Sequence, residues 1–137
     1  MQPTRSDALP LRTVEDLVQV RQFVRARMVE LGFGLLAQTK MVTAASELGR
    51  NAVVYGGGGS ARVDLLADGE RSGLRAVFQD QGPGIADIEQ ALRNGYSTGG
   101  GLGLGLGGSK RLVHEFEIRS APGQGTVVTI TMWTREP

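Results

Sequence analysis

The chain is 137 residues long, contains no cysteine and carries a formal net charge of +1. That length suits one domain with room for a hydrophobic core, and it is too short for a (β/α)8 barrel or a full protein-kinase catalytic domain. The missing cysteines exclude disulfides and thiol chemistry, the single His114 excludes a multi-histidine zinc site, and the near-neutral balance argues against gripping nucleic acid by bulk charge.

Residues 1–8 are polar and expected to be disordered, followed by a short extended piece at Ala8 to Arg12 that Pro10 assigns to a sheet edge. Thr13 is placed to cap a helix whose apolar stripe reads Val14, Leu17, Val18, Val24, Met28 and Leu31, stopped by Gly32 and Gly34. A second helix is predicted from about Leu36 to Tyr55, with the stripe Met41, Ala45, Leu48, Ala52, Tyr55, ended by the run Gly56 to Gly59. The rest reads mainly as strands. Ala61, Val63 and Leu65 alternate with Arg62 and Asp64, and after a turn at Asp68 to Gly73, Leu74, Ala76 and Phe78 alternate with Arg75, Val77 and Gln79. A short helix over Ile85 to Arg93, a glycine-rich stretch, a helix over Leu104 to Phe116, and strands at Glu117 to Ser120 and Thr126 to Trp133 complete the chain. The expected fold is one α+β domain over residues 1–137: a two-layer sandwich with a mixed, mostly antiparallel sheet and helices on one face. No apolar run is long enough for a bilayer and no signal-peptide core is present, so a cytoplasmic protein without a membrane partner is expected.

Three observations point to a ligand. Asp80 shares the strand face of Leu74, Ala76 and Phe78, and Thr126 that of Val128, Ile130 and Met132, so both polar groups point inward near strand ends. Turn capping is the plain alternative for them, but a buried carboxylate is costly without a partner, and Gly82 and Gly84 would let backbone come close to a bound molecule. Glu47 and Asn51 stand one helical turn apart beside the apolar stripe, a pairing that suits a hard cation and water, although such pairs are most often solvated surface. Gly49 between them implies close backbone packing. Finally, of the 21 glycines, Gly99, Gly100, Gly101, Gly103 and Gly105 cluster in a stretch that leads into a helix, where free amides favour anions.

Two familiar patterns lack their context. Gly103, Gly105 and Gly108 fit G-x-G-x-x-G without a preceding strand, and Gly95-Tyr96-Ser97-Thr98-Gly99 fits G-x-S-x-G without a strand or a nearby general base. A Walker A motif is absent, and His114 is expected at the surface or at a helix end.

Taken in order, Glu47-Leu48-Gly49-Arg50-Asn51, Asp80-Gln81-Gly82-Pro83-Gly84, Gly101-Leu102-Gly103-Leu104-Gly105 and Gly125-Thr126 resemble the four boxes of the GHKL (Bergerat-fold) ATP-binding superfamily. Within it the chain is most similar to the small bacterial serine/threonine kinases of the anti-sigma-factor type, and among those to the switch kinase of the stressosome, the RsbT type. Gly49 departs mildly from that pattern, and the region Asn94 to Gly100 is short for a gyrase-type or chaperone-type ATPase. The resemblance implies ATP and Mg2+ as cofactors. It implies that Asp80 and Thr126 receive the adenine, that Gly82 and Gly84 pass close to it, and that Asn51 ligates the metal. Glu47 would act on the attacking hydroxyl, and amides of Gly101, Gly103 and Gly105 would hold phosphate. It further implies a STAS-domain protein as substrate. A nucleotide-gated docking role, on a PP2C-type phosphatase or a sigma factor, is the alternative; sheet-face residues such as Trp133 and Val127 would then offer an exposed patch.

Overall fold

A computed structural model describes residues 1–93 and 105–135. In chain order these form strand β1 (Arg5–Leu11), helices α1 (Val14–Glu30) and α2 (Leu35–Val54), strands β2 (Gly59–Asp68) and β3 (Arg71–Asp80), the single turn α3 (Ile88–Ala91), helix α4 (Gly105–Leu112), and strands β4 (Glu115–Ser120) and β5 (Thr126–Trp133). The strands make one sheet in the order β1-β2-β3-β5-β4, and every described pairing is antiparallel. The helices lie on one face, so the α+β sandwich expected from the sequence is the one found.

The N-terminus differs from expectation. Residues 5–8 belong to β1, whose register places Ser6 opposite Asp64 and Pro10 opposite Ser60. An edge strand tolerates Pro10 because that residue has no N–H to give a second neighbour. The chain then enters α1 through a complete capping box: the Thr13 hydroxyl accepts from the Asp16 N–H at 3.1 Å, and Asp16 accepts from the Thr13 N–H at 3.3 Å. Such a box contributes about 1 kcal/mol. The buried face of α1 is Leu17, Val20, Val24 and Met28, while Val14, read above as part of the stripe, is exposed. A residue at the first helical position lies ahead of the packed turn, and Val20 holds the seam instead.

Helix α2 follows its predicted stripe, with Met41, Ala45, Leu48 and Ala52 buried. Gly49 is buried too, and a Cβ there would stand 2.6 Å from Leu17 Cδ1. The residue thus lets α2 close onto α1, as its interior position implied. Between these helices and the sheet lies the core, with Leu74, Ala76, Ile130 and Val63 at its centre.

The other sheet face is less solvated than strand alternation implies. Asp64, which alternates with the core-facing residues of β2 and so lies on this face, is fully buried. It accepts from Ser6 Oγ at 2.6 Å, from Arg62 Nε at 3.1 Å and from Arg75 Nε at 2.9 Å. Burial alone would raise its pKa, but the hydrogen bonds from Ser6, Arg62 and Arg75, with the Arg62 charge, outweigh that and hold it below the ordinary carboxylate value. Trp133 is not an exposed docking residue either. It is 8% exposed, lies over Gly73, carries the Arg71 guanidinium 4.0 Å above its ring and donates its indole N–H to Glu115. Val127 is half-buried. Long arginine side chains crossing the sheet explain both departures, since they cover this face without a second layer.

Candidate functional site: a nucleotide-sized cavity beside helix α2

The open end of the sandwich holds a cavity of about 460 Å3, within the range of small-molecule sites. Its apolar wall includes Leu48, Ala52, Phe78, Leu106 and Val128. Its polar groups come from three directions.

The first is the strand ends. Antiparallel register sets Asp80 directly opposite Thr126, and Thr126 directly opposite Ser120. Asp80 Oδ1 accepts the Gly82 N–H at 2.8 Å, and among the described residues nothing donates to Oδ2. Asp80 and Thr126 both line the cavity, as their strand parity required. Ser120 stands behind Thr126 and was missed in the sequence. Its position two beyond Ile118, on the parity of Phe116 and Ile118, was the available signal. The Ser120 hydroxyl accepts from the Ile85 N–H at 2.8 Å, donates to the Gly125 carbonyl at 2.8 Å and lies 2.9 Å from Thr126 Oγ1.

The second direction is α2. Glu47 and Asn51 both line the cavity and both are half-buried. The pair is therefore brought to the same wall as Asp80 and is not part of a solvated face. Both supply hard oxygen donors. No group of three His, Cys, Asp or Glu that could hold a metal exists among the described residues. Magnesium suits such a sparse donor set, because it binds through one or two protein oxygens and completes its shell with phosphate and water.

The third is the loop and helix that close the cavity. Gly84 and Gly105 line it, and Gly105 is the first residue of α4. Gly84 has φ +77°, and a Cβ there would meet the Ala121 carbonyl oxygen. Only glycine therefore fits. Gly82 is not on the wall; its would-be Cβ faces Gly56 Cα at 2.6 Å. At both glycines the structure shows a close approach between segments of the protein itself, which clamps the loop after Asp80 against its neighbours. Gly101 and Gly103, and the Ser97 and Gly95 of the second decoy pattern, lie outside the described residues. From Gly105, helix α4 runs to Leu112, four residues short of the expected Phe116; β4 starts two residues early at Glu115. His114 sits between them, exposed, with Nδ1 accepting the Trp133 N–H at 2.9 Å.

Comparison with known proteins agrees with this geometry. Residues 37–136 match the family described as histidine kinase-, DNA gyrase B- and HSP90-like ATPases. Serine/threonine-protein kinase RsbT of Bacillus subtilis is 44% identical over 125 residues, covering 91% of this chain and 94% of that protein. The anti-sigma F factor of Pasteuria penetrans is 31% identical over 111 residues, covering 77% and 74%. In structure, the chain is similar to a crystal structure of the RsbU and RsbW domains of a Mycobacterium tuberculosis protein, with TM-score 0.62 and 24% identity over 95% of this chain. This chain spans 32% of that longer one, so the likeness concerns the fold. With its family match covering most of the sequence and a cavity built from the same boxes, the chain belongs to the histidine kinase-, DNA gyrase B- and HSP90-like ATPase family.

Proposed function

We propose that the protein is an ATP- and Mg2+-dependent serine/threonine kinase of a bacterial partner-switching system, acting in the cytoplasm on a STAS-domain protein. The observation that carries this reading is the convergence of Asp80 and Thr126 from the sheet with Glu47 and Asn51 from α2 on one cavity. The 44% identity to a serine/threonine-protein kinase supports the reaction class.

In this mechanism Asp80 accepts a hydrogen bond from the adenine amino group, and the apolar wall that includes Phe78 and Leu106 receives the base. Asn51 would hold the metal through its side-chain oxygen, and magnesium bound there would supply charge neutralisation on the transferring phosphoryl group. Amides of Gly101, Gly103 and Gly105 would hold the phosphates. Glu47 orients the partner's Ser or Thr hydroxyl and takes its proton as that oxygen bonds to the γ-phosphorus. The bond to the β-phosphate oxygen breaks and ADP leaves with the electron pair. Catalysis is then mainly positioning and electrostatics. Incubating the protein with radiolabelled ATP, Mg2+ and candidate STAS-domain proteins tests the proposal. Label should appear on a Ser or Thr of the partner. Tight ATP binding with no transfer to any such protein would refute the kinase assignment.

The 31% identity to an anti-sigma factor favours a second reading. Here nucleotide sets the docking surface for a PP2C-type phosphatase or a sigma factor, and phosphorylation is secondary. A Glu47→Ala variant that lost transfer yet kept its regulatory output would decide for it.

A further inference from the structure

We propose that Ser120 is a positioning residue that turns the Thr126 hydroxyl away from the cavity, leaving an acceptor-only wall that selects a 6-amino over a 6-oxo purine nucleotide. This rests on the nucleotide reading given above.

The argument is a count of hydrogens. Ser120 Oγ carries one. The Ile85 N–H can only donate to it, and does so at 2.8 Å. The Gly125 carbonyl can only accept, and takes the Ser120 hydrogen at 2.8 Å. What Ser120 has left for Thr126 Oγ1, 2.9 Å away, is a lone pair. Thr126 is therefore the donor in that bond. Its single hydrogen points at Ser120, and its own lone pairs face the cavity.

Asp80, directly across the ladder from Thr126, offers only acceptors. Both residues belong to one cross-strand row with Ser120, so a slip of strand register would be needed to separate them. A 6-amino group brings two hydrogens to this wall. A 6-oxo group brings lone pairs against lone pairs, leaving buried acceptors unpaired.

Removing the Ser120 hydroxyl frees the Thr126 hydrogen to turn into the cavity, where it can donate to a 6-oxo group. The experiment measures dissociation constants of ATP and inosine triphosphate, with Mg2+, by competition against a fluorescent ATP analogue. The expected result is that Ser120→Ala narrows the preference for ATP by about fivefold, the worth of one neutral hydrogen bond. Ser120→Thr should restore it. Thr126→Val should narrow the preference on its own, and adding Ser120→Ala to that variant should narrow it no further. A merely structural role for Ser120 would weaken both nucleotides alike and leave their ratio unchanged.

An unchanged ratio in folded Ser120→Ala overturns the proposal, as does a further narrowing on the Thr126→Val background. Should Ser120→Ala not fold, an unchanged ratio in Thr126→Val overturns it equally. An unaltered protein that binds neither nucleotide refutes the nucleotide reading itself, and this inference with it; ATP binding with an unmoved ratio refutes this inference alone.

Discussion

Replacing Asp64 with Asn should lower the melting temperature by about 10 °C at neutral pH, and the deficit should vanish in acid. Asp64 is fully buried and accepts from three side chains. Breaking a buried ion pair by neutralising one member costs about 3–5 kcal/mol. The Arg62 side chain is 51% exposed, so its share is screened and small, whereas Arg75 at 21% carries most of the interaction. A loss of about 3 kcal/mol follows, and for a chain of this length the unfolding entropy converts it to about 10 °C. The pH dependence follows from the depressed pKa of Asp64. A carboxylate whose folded pKa lies below its unfolded value of 3.8 contributes stability that is present above 3.8 and is lost as pH falls through the folded value. Thermal melts of both proteins by circular dichroism, from pH 7 down to pH 2, measure the gap directly. A gap under about 2 °C at pH 7 would refute the energetic argument, and a gap that persisted unchanged to pH 2 would refute its electrostatic origin.

Three further outcomes test the site and its frame. Glu47→Ala should reduce phosphoryl transfer by about 10²- to 10⁴-fold while leaving ATP affinity within about threefold, read by initial rates and by calorimetry. Asp80→Asn should weaken ATP binding by at least about tenfold, because a charge-assisted hydrogen bond is exchanged for a neutral one whose amide donors face the adenine amino group; calorimetry checks it. Gly84→Ala should destabilise the fold by at least about 2 kcal/mol, since the new methyl meets the Ala121 carbonyl at a positive φ; urea denaturation gives the value.

Much of the molecule was legible because its signals were periodic. The α2 stripe and the parity of Asp80 and Thr126 each followed from a fixed repeat, and the structure sets both residues on the cavity wall. Residues 5–8 were misread because Arg5, Ser6 and Asp7 look like a solvated tail; they are ordered by Asp64, fifty-eight residues from Ser6 in sequence, a partner no local pattern reveals. The burial of Asp64 was not legible because alternation reports which face a residue is on and not what covers that face. Ser120 escaped notice because its hydroxyl meets nothing in its own strand; its partners are Ile85, Gly125 and Thr126. The glycines after Asp80 pointed to a bound molecule, whereas the neighbours the structure sets against them are Gly56 and Ala121, residues that no local pattern connects to this loop.

The seat of Trp133 decides how this molecule should be watched in solution. It is the chain's one tryptophan, and it emits from beneath Arg71 on the side of the sheet away from α2. Its intrinsic fluorescence will therefore follow the melting of the last strand and report poorly on what enters the cavity. A flat emission trace during a titration is no sign of an idle protein; occupancy has to be followed with a labelled nucleotide, while the indole serves as the gauge of unfolding.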